Sequence, residues 1–319
     1  MIAAVCQHEN RRTNGKTKAG ATRYRCKSCG ASWTESTAML GGMRIGVEQA
    51  AKIVELLCEG MNVRATARFT GTDLMTILSL LTMLGEHCEK YMAEHIKDVF
   101  VSDTQVDEIW QFILAKNATT KAQKMVGGCG DSYCYTAIDR QSKLLITWHM
   151  GRRSQQHTEQ FIAKLDRATF GHFHVSSDGW RSYPSEIKKQ LGHRVDHGVM
   201  QKIYGVNVYE DQRRYSPARI IGASRTPMHG TPFQQDQICT SHVERMNGSI
   251  RTHMKRMGRL TYCFSKKWNN HRAALAVYFC HYNYCRQHKT LKGLTPAVAH
   301  GVATKVWSVR EMIENVMAD

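Results

Sequence analysis

The sequence lacks any apolar run close to the ~20 residues that a membrane-spanning helix needs. Its opening residues, MIAAVCQHENRR, contain no long apolar stretch behind a basic head, so we expect no secretory signal. Internal repeats and low-complexity tracts are also missing, and proline occurs only five times. These absences favour a folded cytoplasmic protein over a membrane-spanning or secreted one.

Acidic residues are scarce: 27 Asp and Glu face 44 Lys and Arg, which gives a net charge of +17 over 319 residues. The imbalance is strongest from Arg245 to Arg310, where thirteen Lys and Arg occur without a single Asp or Glu. A charge of this size and sign favours a polyanionic partner, and nucleic acid is the usual one. The alternative is a basic but otherwise ordinary soluble protein.

Cysteine is not scarce, and its spacing predicts a metal site. Without an export signal, the eleven cysteines are expected to be reduced, so metal binding is favoured over disulfides. Cys6 and His8 form one pair, Cys26 and Cys29 form the next, and this set suits a tetrahedral structural Zn²⁺. The polar residues between the pairs cannot form a core, so metal would supply the folding energy. We predict a zinc-binding ribbon over 1–42, with two alternatives: Glu9 replacing His8, or unligated surface cysteines.

Three short helical patterns follow, in VEQAAKIVELLCEG, VRATARFTG and TDLMTILSLLTMLG. The second ends at Gly71, and Thr72 is a candidate N-cap of the third. This layout predicts a helix-turn-helix DNA-binding domain over 45–92.

Four residues of that domain are candidate DNA contacts. Arg64 and Arg68 can reach phosphates, and Thr72 and Thr76 are exposed polar positions of the third helix, which would enter the major groove. However, that helix carries no Lys or Arg within its body. A helical spacer that packs against another subunit is therefore the alternative.

The segment from 98 to 300 has the pattern of a mixed α/β domain. VFVSDTQVDEIWQFIL predicts a strand, YCYTAIDRQSKLLITWHM a hairpin, SQQHTEQFIAKLDRA a crossover helix, and HFHVSSDGWRSY a strand that ends at Asp178. Antiparallel strands, a helix and then a parallel strand form the mixed sheet of a ribonuclease H-like fold. We expect a C-terminal helical tail at 301–319.

Three acids are expected to meet in that layout: Asp107 on the first strand, Asp178 at the end of a later strand, and Glu244 on a following helix. Carboxylate oxygens are the ligands that Mg²⁺ or Mn²⁺ requires, and two such ions can drive an in-line phosphoryl displacement. Each acid has a simpler interpretation as a turn or cap residue. Rivals for the first position are Glu108, Asp103 and Asp139.

Basic residues follow Glu244 at helical spacing. A regular helix from about Ser241 would place Glu244, Asn247, Arg251 and Lys255 on one face, with apolar side chains opposite. The face would carry a metal ligand and then cations along a DNA backbone. An ordinary solvated face is the alternative. The predicted DNA-binding residues of this region are Asn247, Arg251, Lys255, Arg256, Arg259, Lys266 and Lys267.

Several blocks together resemble transposases of the bacterial insertion-sequence-one family. They are RYRCKSCG, LLCEGMNVRATARFTG, VDEIWQF, SSDGWRSY, TSHVERMNGSIRTHMKRMGRLTYCFSKKWNNH and YNYCRQHKTLKGLTPAVAHGV. The resemblance implies a DDE-type DNA transposase with Asp107, Asp178 and Glu244 as catalytic and metal-ligating residues. It further implies a bacterial, nucleoid-associated homo-oligomer (a dimer or larger) that acts on terminal inverted repeats and target DNA.

Asp178 and Glu244 are 66 residues apart, much farther than the corresponding acids of integrase-like relatives. This departure implies an insertion at about 184–236. Two alternatives to a transposase remain at this stage. One is a zinc and helix-turn-helix regulator. The other is a structure-selective ribonuclease H-like nuclease that cuts DNA without joining it.

Overall fold

The computed structural model describes residues 10–16, 22–34, 40, 42–117, 119, 128–205, 219–231 and 235–318. Its first elements are three short antiparallel strands, β1 (Arg11–Lys16), β2 (Thr22–Cys26) and β3 (Ser32–Thr34), in the order β1-β2-β3. Strand β1 is exposed along its whole length, whereas Cys26 at the end of β2 is buried. Because its described residues form no buried apolar face, this sheet is not expected to be stable alone.

Three helices follow: α1 (Val47–Cys58), α2 (Val63–Thr70) and α3 (Leu74–His95). Helix α2 ends at Gly71, whose φ of 65° is the left-handed conformation that glycine adopts at helix ends. The prediction that Thr72 is the N-cap of α3 is wrong by one residue. Asp73 caps α3 instead, because its carboxylate accepts hydrogen bonds from the backbone N–H groups of Met75 and Thr76.

The largest sheet has six strands in the order β11-β10-β9-β5-β6-β7. Their bounds are β5 (Asp103–Ile113), β6 (Gly130–Asp139), β7 (Leu145–Gly151), β9 (Phe173–Ser177), β10 (Val195–Tyr204) and β11 (Ile220–His229). Strands β5, β6 and β7 are antiparallel neighbours, β9 and β10 run parallel to β5, and β11 is antiparallel to β10. This mixed α/β sheet is consistent with a ribonuclease H-like fold. Two short strands, β4 (Val99–Phe100) and β8 (Thr169–Phe170), pair separately.

Helices α4 (Gln155–Ala168), α5 (Tyr183–Leu191), α6 (Ser241–His253) and α7 (Trp268–Tyr284) flank the sheet. Helix α8 (Pro296–His300) packs on α7, and α9 (Val309–Ala318) packs on α1, α3 and α7. Helix α4 is the crossover predicted between the hairpin and the parallel strand, and the Ser154 side chain caps it. None of the described helices is long and apolar enough to cross a membrane.

The described part of the predicted insertion contains α5 and the β10–β11 hairpin. The first half of β10, from Val195 to Val199, pairs with β9 and belongs to the sheet. Its second half pairs with β11 alone and extends past the end of β9. The residues at 206–218, between the two strands, lie outside the described part of the chain.

Buried apolar residues form one cluster that includes residues of α1, α3, the sheet, α7 and α9. Helices α3 and α7 cross closely at Gly85, where a Cβ atom would lie 2.4 Å from the Cα of Ala273. Near this crossing, the Arg272 guanidinium donates two hydrogen bonds of 2.8 Å to the Glu89 carboxylate. The aromatic side chains of Tyr278 and Tyr282 on α7 are buried in this core.

Candidate active site

The centre of the site lies where strand β9 ends beside the middle of β5. Val106 is opposite Ser177 in this parallel pair, so Asp107 and Asp178 take neighbouring positions just beyond it. Ligand atoms of Asp107, Glu108 and Asp178 all lie within 4.8 Å of one another. The strand pattern therefore brings the two predicted aspartates together, and it adds Glu108 as a third carboxylate.

The three carboxylates are harder to ionise than ordinary acids. Burial, followed by the negative charges of Asp178 and then Glu244, raises the pKa of Asp107 to about 7. Burial and the charges of Asp178 and Asp107 raise the pKa of Glu108 to about 8. Burial likewise raises the pKa of Asp178, although the Trp180 N–H and the Arg153 charge oppose this increase. Such a group of acids favours the binding of a cation, which relieves their mutual repulsion.

Arg153 is the main counter-charge within this group. Its guanidinium forms an ion pair with Glu108 and lies 3.8 Å from Oδ2 of Asp178. The same guanidinium lies 4.3 Å from the centre of the Trp180 ring, which restricts its position. Tyr183 completes the surroundings by donating its hydroxyl hydrogen to Glu108 across 3.0 Å.

Sequence reasoning missed Arg153, Trp180 and Tyr183 as site residues. Trp180 and Tyr183 belong to the SSDGWRSY block, so a signal was present two and five residues after Asp178. Arg153 follows strand β7 in a stretch without a recognisable motif. Its role depends on contacts with residues that are distant along the chain.

Helix α6 brings Glu244 to the edge of the same site. The side-chain oxygen of Gln105 on β5 accepts hydrogen bonds from the backbone N–H groups of His242 and Val243, at 2.9 and 3.1 Å. The Glu244 carboxylate accepts a hydrogen bond of 2.7 Å from the Thr240 hydroxyl. The cluster of mutually close ligand atoms does not include Glu244 among the described residues. Its charge nevertheless adds to the raised pKa of Asp107.

Lys202 on strand β10 forms an ion pair with Glu244. The hairpin therefore supplies a cation to the site, which sequence reasoning did not assign. Since β10 belongs to the predicted insertion, this ion pair links the insertion to Glu244, the third predicted acid.

Asn247 lies one turn after Glu244 on α6. Its amide donates a hydrogen bond of 2.8 Å to Oδ2 of Asp107, while its own Oδ1 is buried without a hydrogen-bond partner among the described residues. A carboxamide oxygen beside carboxylates adds another hard oxygen to the donor set. The set fits a divalent ion such as Mg²⁺ or Mn²⁺, which prefers oxygen ligands.

The other two rivals for the first acid position have structural roles. Asp103 forms an ion pair with Arg140 at 2.8 Å. Asp139 closes the β6–β7 turn, because its carboxylate accepts hydrogen bonds from the Ser142 backbone N–H and hydroxyl. Among the four candidates named for this position, Asp107 and Glu108 are the ones at the carboxylate cluster.

The predicted basic face of α6 is shorter than expected. The helix ends at His253, and Lys255 belongs to a separate 3₁₀ helix (Lys255–Met257), so it does not continue the face of Glu244 and Asn247. The opposite face is buried at Val243, Met246 and Ile250, as the pattern predicted.

Two of the predicted DNA-binding cations make contacts inside the protein. Arg251 donates hydrogen bonds to the backbone carbonyls of Met257 and Trp110, at 2.7 and 3.1 Å. Arg256 donates to the Ser265 hydroxyl and the Asn270 carbonyl, at 3.1 and 3.2 Å. Burial lowers the pKa of Arg251 and of Arg256 to about 10. Both guanidiniums therefore hold the chain together, a role that helical spacing cannot distinguish from DNA binding.

The remaining predicted DNA-binding residues are at or near the surface. The exposed cations are Arg64, Arg68, Lys255, Arg259, Lys266 and Lys267. Thr72 and Thr76 are partly buried, and the Thr72 hydroxyl accepts a hydrogen bond from the Gln49 amide at 2.9 Å. DNA contact by all of these residues stays a prediction.

Half of the predicted zinc site lies in the described chain. Cys26 and Cys29 flank a turn in which the Ser28 N–H points to the Cys26 sulfur at 3.3 Å, and Gly30 follows with a φ of 74°. Cys6 and His8 lie outside the described residues. Zinc binding stays a prediction.

No protein-family model matches the chain. Among solved structures, one that is similar is a cryo-EM structure of piggyBac transposase in a synaptic complex with hairpin DNA. The similarity has a TM-score of 0.38 at 10% sequence identity, and it covers 85% of this chain and 70% of the other. Membership of the insertion-sequence-one family stays a prediction from the sequence.

Proposed function

We propose that this protein is a DDE-type DNA transposase of the insertion-sequence-one kind. It would bind terminal inverted repeats and catalyse strand cleavage followed by strand transfer into target DNA. The observation that carries the proposal is the convergence of Asp107 and Asp178 from two parallel strands, beside a helix that bears Glu244. A basic chain with an oxygen-rich acidic site fits an enzyme that brings DNA phosphates to a metal centre.

The metal ligands in this proposal are Asp107, Asp178 and Glu244, with Mg²⁺ or Mn²⁺ as the ion. Bound by these residues, such an ion would activate the attacking hydroxyl and would neutralise charge on the leaving oxygen. Asn247 holds the Asp107 carboxylate in one orientation through its amide hydrogen bond. Gln105 fixes the start of α6 against β5 and so sets the position of Glu244.

Two cations at the site, Arg153 and Lys202, would help to bring DNA to the carboxylates. Arg153 borders the carboxylates with part of its guanidinium exposed, and it can bind a DNA phosphate there. Lys202, on strand β10 of the hairpin, balances the charge of Glu244. Both cations lie beside carboxylates of the site, where they would attract a DNA phosphate.

The other parts of the proposal concern DNA recognition and assembly. Helices α1 to α3 would bind the inverted repeats through Arg64, Arg68, Thr72 and Thr76. Zn²⁺ held by Cys6, His8, Cys26 and Cys29 would stabilise the N-terminal ribbon. Two or more copies of the chain would pair the two ends of the element.

A cleavage and joining assay tests the function. Purified protein is mixed with Mg²⁺, labelled DNA carrying its element's ends, and a supercoiled target plasmid. The proposal predicts both nicked ends and joined products, and it predicts neither from Asp178→Asn. Nicks without joined products would support a nuclease that does not transfer strands. DNA binding without either product in the wild type would support a regulator.

A further inference from the structure

The segment 258–264, here named the Tyr262 loop, presents large side chains to solvent. Tyr262 is fully exposed, at 102% of its reference accessibility, and Leu260 is 78% exposed. Both follow the helix of Glu244, yet neither has a part in the proposed catalytic centre. Side chains of this kind at a surface are expected to have a partner when they stand close together.

The base of the Tyr262 loop is held firmly. Arg256 precedes the loop and bonds to Ser265 just after it. The carbonyl of Ser265 accepts a 2.8 Å hydrogen bond from the backbone N–H of Leu114, at the end of strand β5. Phe264 packs on Phe112 with ring centres 5.3 Å apart. The exposed tip is therefore carried on a fixed base, which limits the entropy lost when a partner binds.

The surroundings of the loop are positively charged. Lys255, Arg259, Lys266 and Lys267 are exposed around it, and no acid occurs from Arg245 to Arg310. A second copy of the same surface would repel this charge. A partner with negative charge and flat apolar faces would match both the cations and the Tyr262 ring. DNA with unstacked bases has these two properties.

We propose that the Tyr262 loop inserts between DNA bases, with Tyr262 stacking on an unpaired base and Leu260 acting as a wedge. This inference rests on the proposed function, because it takes DNA as the substrate. Asp107 and Ile113 are six positions apart along β5, which spans roughly 20 Å. At 3.4 Å per base pair, the loop would meet DNA roughly six base pairs from the phosphate at the carboxylates. The base distortion would therefore lie about six base pairs away from the cleaved bond.

Binding of two matched DNA probes tests the proposal. One is a fluorescein-labelled duplex, and the other has the same sequence with a central bulge of unpaired bases. Fluorescence anisotropy should show that the wild type prefers the bulged probe by about tenfold, which is within the range of aromatic–base stacking. Tyr262→Ala should lose this preference, and Tyr262→Phe should keep it. Lys266→Ala should weaken binding to both probes by the same factor.

Three results would overturn the proposal. The first is an equal preference for the bulged probe in the wild type and in Tyr262→Ala. The second is a wild type that binds both probes equally. The third is a change of oligomeric state in Tyr262→Ala with unchanged DNA binding, which would assign the loop to a protein contact. Failure of the proposed function can be distinguished from failure of the loop proposal. In that case the wild type would bind neither probe or would make no joined product.

Discussion

The side-chain amide of Asn247 donates a hydrogen bond of 2.8 Å to Oδ2 of Asp107, joining helix α6 to the central strand of the sheet. The contact orients a carboxylate that is buried and has a raised pKa. It also couples the position of the Glu244 helix to the carboxylate cluster. Asn247 is therefore a positioning residue in the proposed active site.

Replacing Asn247 should slow the reaction without preventing DNA binding. Asn247→Ala removes a hydrogen bond to a charged acceptor, an interaction typically worth about 1.5–3 kcal/mol. We expect cleavage to fall by at least about tenfold, which corresponds to about 1.4 kcal/mol. Single-turnover cleavage at saturating protein measures the effect, because saturation removes the contribution of weaker DNA binding to the rate. A variant that cleaves at the wild-type rate would remove Asn247 from the site.

The carboxylate cluster should make the metal-free protein less stable as pH rises. Asp107 and Glu108 have pKa values of about 7 and about 8 in the folded chain. Unfolded values are about 3.9 and about 4.3, so the folded chain binds these protons more tightly. The resulting stability is present below about pH 4 and is lost as pH rises through about 8. Melting temperatures in EDTA should fall over this interval, and less steeply in Glu108→Gln.

Divalent metal should reverse this trend, because it binds the ionised carboxylates. Adding Mg²⁺ or Mn²⁺ should raise the melting temperature more at about pH 8 than at about pH 6. Asp178→Asn should reduce the increase. A melting temperature that is the same with EDTA and with Mn²⁺ at both pH values would contradict a metal site at these residues.

The crossing of α3 and α7 at Gly85 should tolerate no larger residue. Since a Cβ atom there would lie 2.4 Å from the Cα of Ala273, Gly85→Ala must push the two helices apart. We expect it to lower the free energy of unfolding by about 1–3 kcal/mol, as overpacking does. Gly248→Ala on α6 is the matched control, because nothing lies within 4 Å of its added Cβ and alanine favours helices. Urea denaturation of both variants distinguishes overpacking from a general effect of replacing glycine.

The zinc prediction can be tested through the two cysteines that the structure describes. Cys26→Ser and Cys29→Ser each remove one of the four predicted zinc ligands. Each should therefore lower the zinc bound per chain from about one ion to a small fraction. Cys263→Ser is a suitable control, since this exposed cysteine is outside the ribbon. Mass spectrometry of the metal content after gel filtration makes the measurement. Full zinc content in Cys26→Ser would contradict the ribbon.

Local patterns predicted much of the fold and the segments that carry the candidate acids. The strand that ends at Asp178 was recognisable because an apolar alternation meets a glycine turn there. The helix of Glu244 was recognisable from its apolar face at Val243, Met246 and Ile250. These features depend on residues close together in the chain, so spacing alone could reveal them.

Contacts between distant residues could not be predicted in this way. Arg251 and the Trp110 carbonyl are 141 positions apart, so no local pattern could indicate the hydrogen bond between them. DNA binding by Arg251 stays a prediction. Glu108 directly follows Asp107 on β5, and no pattern in the neighbouring sequence indicates that its carboxylate also lies close to Asp178. The pairing of Lys202 with Glu244 depends on where the hairpin lies after folding.

The most direct test of the central claim compares single-carboxylate variants in a cleavage assay with Mg²⁺ and the element's own ends. Asp107→Asn, Asp178→Asn and Glu244→Gln remove one charge each, and Glu86→Gln removes one from the exposed surface of α3 as a control. We predict that the three site variants bind the ends as the wild type does but neither cleave nor join them, while the control does both. Wild-type cleavage by Glu244→Gln or Asp178→Asn would contradict the assignment.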